Sequence, residues 1–156
     1  MQGFANLQSV EDLLIKLRHD LAQLERSPSD SYAALNFFLT AEHMADWYLP
    51  GGTNDAARMA LKKSEVLLQT CSHLANGAKH FRAEAKHHQS VVDSRQNKGI
   101  FGNAFPNAYG SVFHRAIEID LQGTAKQQYG KSITAVDLAS KILKYWEARL
   151  LPPNPV

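Results

Sequence analysis

The sequence contains one cysteine, Cys71, among its 156 residues. A chain with a single cysteine forms no intrachain disulfide and no zinc site built on cysteine ligands. No apolar run approaches the roughly 20 residues that a transmembrane helix needs. The first residues also lack the basic start and apolar core of a signal peptide. These absences predict a reduced, cytoplasmic setting without membrane contact.

The sequence also lacks a large excess of charge of either sign, and it lacks several common motifs. The formal net charge is +2, and the basic residues are scattered, so we expect no sequence-specific reading of DNA. The sequence has no Gly-Lys-Ser/Thr phosphate loop and no Gly-x-Gly-x-x-Gly. No serine or cysteine stands in a recognisable nucleophile motif. We therefore expect no cofactor of the kinds that these motifs bind.

Apolar residues recur every three or four positions in four segments, which is the period of a buried helix face. The pattern predicts helices at about 9–26, 31–48, 54–81 and 134–150. Ser9 with Asp12, and Thr134 with Asp137, have the spacing of helix-capping boxes. The second helix is apolar around its whole axis, which is typical of a central helix.

Alternating apolar and polar residues at 116–121 predict a half-buried strand. Residues 127–133 provide a return strand, which gives a hairpin at about 112–133, and Ser90-Val91-Val92 a third, short one. A chain of this length fits one domain, 1–156. The sequence thus predicts a mainly α fold: a three- to four-helix bundle with a small antiparallel β-hairpin before the C-terminal helix.

A polar face on the third predicted helix is the first candidate site. His73, Asn76 and His80 fall on the side away from the core, so we expect them to face solvent, a groove or a second subunit. Asn76, Lys79 and His80 lie within one turn, and together they suit an anion such as phosphate. His80 could also transfer a proton near neutral pH. The alternative is a helix C-terminus, which asparagine, glycine, lysine and histidine all favour.

This segment resembles the active helix of HEPN domains, small all-α proteins that include many RNA-cleaving toxins and antiphage nucleases. Their motif is arginine, usually followed by asparagine or histidine, then three to five residues and histidine. Asn76 and His80 match it, while Ala75 stands in place of the arginine. The chain is also similar to an uncharacterised bacterial and phage group with an Asn-x-x-Lys-His-Phe helix. The matching residues are Asn76, Lys79, His80, Phe81, the run 41–47 and Trp146.

The resemblance implies a function as well as a fold. In catalytic HEPN domains the arginine holds the scissile phosphate, the histidine handles protons, no metal is needed, and the site forms across a dimer. Loss of the guanidinium removes a bidentate phosphate contact. The resemblance therefore implies weak or absent ribonuclease activity, binding of RNA, a nucleotide or a protein partner, a homodimer, and an origin in phage or a mobile element.

Two alternative functions remain open. Arg82 and His87 are separated by four residues, so they also fit the arginine–histidine spacing if the third helix continues past Phe81. This interpretation predicts that the chain is a metal-independent endoribonuclease. The asparagine or histidine that usually follows the motif arginine is absent after Arg82. The other alternative is a structural or interaction homodimer without a ligand.

The sequence contains two further polar clusters. His80, Glu84 and His87 could share one helix face, but the second half of a di-metal motif is missing, so no metal site is predicted. On the second helix, Asn36, Thr40 and His43 share a face. We expect this stripe either to face Asn76 and His80 across a groove or to form a buried hydrogen-bond network.

Overall fold

The computed structural model of the chain describes residues 5–80, 89–96 and 116–151. Within these ranges the elements, in chain order, are α1 (Val10–Arg26), α2 (Ser31–Tyr48), a short 3-10 turn (Gly52–Asn54), α3 (Asp55–Ser64), α4 (Val66–His80), β1 (Val91–Gln96), β2 (Ile117–Leu121), α5 (Gly123–Tyr129), β3 (Ser132–Thr134) and α6 (Ala135–Leu150). The predicted mainly α fold with a small antiparallel sheet before the last helix is confirmed.

Side-chain caps fix where the predicted helices begin. Ser9 accepts the N–H of Asp12 at 3.1 Å, and Asp12 accepts the N–H of Ser9 at 3.0 Å, which closes the predicted capping box of α1. Bonds from the Gln8 N–H and the Ser9 hydroxyl hold the pKa of Asp12 below its ordinary value. Thr134 accepts the N–H of Asp137 at 3.1 Å and so caps α6, while the Thr134 hydroxyl, and not its backbone N–H, donates to the Asp137 carboxylate at 2.7 Å. At α6 the described bonds thus form only the first half of the predicted capping box.

One hydrophobic cluster joins the helices and the sheet. α2 contacts α1, α3, α4 and α6, as its apolar sequence predicts for a central helix. Phe37, Met44 and Trp146 are fully buried within the cluster. Cys71 also lies in it, and burial raises the pKa of its thiol well above the ordinary value, with Glu42 adding to the effect. The thiol is therefore neutral and inaccessible, which suits a packing role.

The predicted helix 54–81 is wrong as one continuous helix. It is divided at Glu65, whose φ of −117° and ψ of 118° are extended. Polar side chains take up carbonyls freed at the break, because the Ser64 hydroxyl donates to the Leu61 carbonyl and the Gln69 amide donates to the Lys63 carbonyl. No glycine or proline lies at the break, and the apolar spacing continues through it, so the sequence pattern gives no sign of a helix end there. The predicted end at Phe81 lies outside the described residues.

The sheet has the order β1-β2-β3, and both pairings are antiparallel. The predicted third strand at Ser90–Val92 is found as β1, which is longer than expected. The predicted return strand 127–133 is mostly wrong, since its first residues belong to α5 and only Ser132–Thr134 pairs with β2. α5 forms because Ala125 and Tyr129, one turn apart, both pack towards the core. The predicted hairpin start at 112 lies outside the described residues.

Gly123 lets the chain turn from β2 into α5. Its φ is +56°, a conformation that residues with a side chain rarely adopt, and a Cβ there would lie 3.1 Å from the Gln89 carbonyl oxygen. The turn brings α5 beside β3, and so positions one wall of the cleft described below.

None of the helices in the described ranges combines the length and the apolar character needed to cross a lipid bilayer.

Candidate functional site

The position that corresponds to the motif arginine points into the core. Ala75 is 2% exposed and lies on the face of α4 that also buries Leu68 and Cys71. The Cys71 thiol reaches the Phe38 carbonyl of α2 at 3.5 Å, so this face is in close contact with α2. A guanidinium at position 75 would be enclosed within the protein rather than presented to a ligand at the surface.

Asn76 lies on the outer part of α4 and is half-buried. Its Nδ2 donates to the Ser72 carbonyl at 2.8 Å and lies 3.3 Å from the Ser72 hydroxyl. The amide is thus held along its own helix. No described residue donates to its carbonyl oxygen, which leaves that oxygen as the free acceptor of the side chain.

His73 has a different role from the one expected. Instead of facing solvent, an open groove or a second subunit, its Nδ1 accepts the backbone N–H groups of Ser90 at 3.3 Å and Val91 at 3.1 Å. Ser90 is only 6% exposed. The ring therefore fixes the start of β1 against α4, and its Nδ1 is the unprotonated, accepting nitrogen.

Replacing His73 with leucine should destabilise the protein by roughly 1–3 kcal/mol, because the partly buried N–H groups of Ser90 and Val91 would lose their acceptor. Urea unfolding measures the loss, and hydrogen exchange should be faster at both amides. His19→Leu is the control, since His19 is exposed on α1 and contacts only Gln23 at the surface. Equal unfolding midpoints for His73→Leu and the wild type would contradict the assigned role.

The other residues of the first candidate site are only partly described. The helical backbone continues through Lys79 and His80, as predicted. The side chains of these two residues lie outside the described part of the structure, as do Arg82 and His87 of the alternative motif.

The stripe on α2 does not face α4, so the prediction of a shared groove is wrong for Asn36 and His43. Both are exposed, and His43 pairs with Asp46 at 3.2 Å. On α2, Phe38 and Glu42 make the contacts to α4. At 100° per residue, Asn36 and His43 lie about 140° and 120° around the helix from the mean direction of Phe38 and Glu42, so they point away from α4.

Thr40, between those two residues, belongs to a buried network with α1. Its hydroxyl bonds to the Asp20 carboxylate at 2.6 Å and also lies 2.7 Å from Lys16 Nζ. Lys16 and Asp20 are themselves 2.6 Å apart. Of the two interpretations of the stripe, the network that fixes packing holds for Thr40.

A groove does lie beside α4, but on another face. It has a volume of about 240 Å³ between α2, α4 and the sheet, and Leu74 and Ala78 form its α4 wall. Phe38, Ile117 and Ile119 make it largely apolar. Asn76 is not among its lining residues.

A second cleft was missed by the sequence analysis. It has a volume of about 510 Å³ between α5, β3 and α6. Tyr129, Lys141 and Lys144 lie on its walls with several hydroxyl groups. The available signal was the polar spacing on the last helix, where Asp137, Ser140, Lys141 and Lys144 recur every three or four residues opposite the apolar stripe.

Comparison with known proteins adds no family. No protein-family model, no curated protein and no solved structure matches the chain. Across 5–80, 89–96 and 116–151, no three or more His, Cys, Asp or Glu side chains are grouped so as to hold a metal ion.

Proposed function

We propose that the chain is a HEPN-like helical domain that binds RNA or a nucleotide through the outer face of α4 and cleaves RNA weakly or not at all. The binding groups are Asn76, Lys79 and His80. Such a domain keeps the helix of the ribonuclease motif without its phosphate-holding arginine.

The burial of Ala75 is the observation that carries the proposal. At 2% exposure this position is buried, so the residue that replaces the motif arginine does not face the outer surface of α4. A single substitution would not restore a guanidinium on the outer face. Without that group the family's way of holding the scissile phosphate is lost.

The anchoring of α4 supports a binding role. His73 of α4 accepts a hydrogen bond from the backbone of β1. The Glu42 carboxylate of α2 accepts hydrogen bonds from the Lys62 ammonium of α3 at 2.7 Å and from the Ser72 hydroxyl of α4 at 3.3 Å. Asn76 is one turn from Ser72, with its amide held in one orientation. A pre-ordered surface loses less entropy when a ligand binds.

Anisotropy of a fluorescent single-stranded RNA, with titration by AMP as a competitor, tests the proposal. The variant Asn76→Ala/Lys79→Gln/His80→Ala should bind at least about tenfold more weakly than the wild type, since it loses charge-assisted contacts to phosphate. Lys63→Gln, an exposed lysine on α3, is the charge control and should bind almost normally.

Two outcomes would overturn the proposal. One is an absence of RNA and AMP binding at millimolar concentrations. The other is an equal loss of affinity in the triple variant and in Lys63→Gln, which would indicate diffuse electrostatics.

The resemblance also leads us to propose that the chain forms a homodimer and comes from a phage or mobile element. Light scattering that shows a monomer at micromolar concentration would contradict the dimer.

A further inference from the structure

The cleft between α5, β3 and α6 has one aromatic wall and one cationic wall. Tyr129, the last residue of α5, forms the aromatic wall. Lys141 and Lys144 of α6 form the other, and Lys141 Nζ lies 5.9 Å from the centre of the Tyr129 ring. Its volume of about 510 Å³ is in the range of small-molecule sites.

The lysines are placed there by the packing of α6. Residues of this helix that face the core are fully or nearly buried, namely Ala135, Leu138, Ala139, Ile142, Leu143 and Trp146. Asp137, Ser140, Lys141 and Lys144 form the polar stripe beside that face. Because the apolar face of α6 packs in the core, its polar residues face the cleft. Lys141 and Lys144 therefore both line it.

The charges of the cleft are unequally satisfied. Glu118 pairs with Arg95 at 3.0 Å, and the Asp137 carboxylate accepts the Thr134 hydroxyl at 2.7 Å. Neither Lys141 nor Lys144 forms an ion pair with a carboxylate of the described residues, and neither has a contact beyond the described ones. Among the described residues the Asp137 carboxylate also has no ion-pair partner, so two ammonium groups and one carboxylate of the cleft remain without a counter-charge. The excess of one cation favours an anionic ligand over a cationic one.

The remaining lining groups suit a ligand that is planar at one end. Burial, and secondarily the Glu65 carboxylate, raise the pKa of Tyr129, so the phenol stays neutral and does not repel an anion. The hydroxyl groups of Ser132, Thr134 and Ser140 line the cleft as hydrogen-bond donors and acceptors. A phosphate near the lysines would leave an attached base within reach of the tyrosine ring, where aromatic stacking is favourable.

We propose that this cleft binds a phosphorylated nucleoside unit, with Lys141 and Lys144 contacting the phosphate and Tyr129 stacking on the base. The unit is supplied either by a free nucleotide or by an RNA strand, which share this chemistry. No residue of α4 is among those that line the cleft, so its proposed ligand binding is independent of the polar face of α4.

Calorimetric titration with AMP, adenosine, inorganic phosphate and a short oligoadenylate tests the cleft. AMP should bind more tightly than adenosine or phosphate alone, because only AMP engages both walls. In the Asn76→Ala/Lys79→Gln/His80→Ala background, which removes the proposed α4 site, AMP should still bind, and Lys141→Gln/Lys144→Gln should weaken that binding at least about tenfold. Tyr129→Leu, which keeps an apolar side chain against the core, should weaken AMP and adenosine and leave phosphate unchanged.

The control is Lys63→Gln/Arg26→Gln, which removes the same charge at exposed residues outside the cleft and should bind AMP normally. Tighter binding of oligoadenylate than of AMP identifies RNA as the source, and the reverse identifies a free nucleotide. Undetectable binding of AMP and oligoadenylate, or equal losses in the cleft and control variants, would overturn the proposal. Loss of binding only in Asn76→Ala/Lys79→Gln/His80→Ala would overturn the cleft and leave the α4 proposal standing.

Discussion

Ala75→Arg is expected to destabilise the protein by about 3 kcal/mol or more and to produce no ribonuclease activity. Ala75 is 2% exposed, so the new side chain has no room at this position and would overpack the buried face of α4. Its guanidinium would also be buried without a partner, which is among the most costly changes in a core. Restoring the family's arginine in this sequence should therefore damage the fold instead of creating a site.

Thermal or urea unfolding of Ala75→Arg measures that cost. Ala78→Arg is the matched control, because Ala78 lies on the same helix one turn later and is exposed. The control should change stability by no more than about 0.5 kcal/mol. An Ala75→Arg variant that folds like the wild type and cleaves RNA would show that position 75 reaches the outer face.

Trp146→Ala should cost about 3–5 kcal/mol, because Trp146 is fully buried and its removal leaves a large cavity. The ring packs edge-on against Tyr48 at 5.9 Å and Tyr145 at 5.3 Å between ring centres. Its indole N–H is buried and has no hydrogen-bond partner among the residues that the structure describes. Trp146→Phe should therefore cost much less than the alanine variant, since it keeps an aromatic ring and removes an unsatisfied donor.

Urea unfolding of both Trp146 variants, followed by circular dichroism so that the signal does not depend on tryptophan, separates the two effects. Leu151→Ala is the control, because Leu151 is 44% exposed at the end of α6 and its loss should have little effect. If Trp146→Phe were as damaging as Trp146→Ala, the indole N–H would have to make a bond that stabilises the fold.

Most of the helical framework could be predicted because it depends on local signals. Ser9 and Thr134 cap their helices through neighbours three residues away, and β2 alternates buried and exposed residues as its sequence does. The break at Glu65 could not be predicted in this way. No glycine or proline marks it, and its carbonyls are satisfied by the serine and glutamine side chains at 64 and 69, which also fit a continuous helix.

The candidate site was less predictable, since it depends on which helices meet. Helical periodicity correctly placed Asn76 away from the core of α4, but it could not show that His73 holds β1. Periodicity likewise could not show that Thr40 faces α1. Because the polar face of α2 is turned towards α1, Asn36 and His43 do not face α4. The cleft required the position of α5, a segment predicted as strand, before Tyr129 could be placed beside Lys141.

Cleavage of end-labelled RNA by the wild-type chain, without metal ions and at concentrations where RNA is bound, tests most directly whether the domain binds RNA without processing it. The expected result is RNA that remains intact, or is cleaved only slowly, while the anisotropy signal shows binding. Rapid cleavage that disappears in His80→Ala or in His87→Ala would contradict it and identify the chain as a metal-independent ribonuclease.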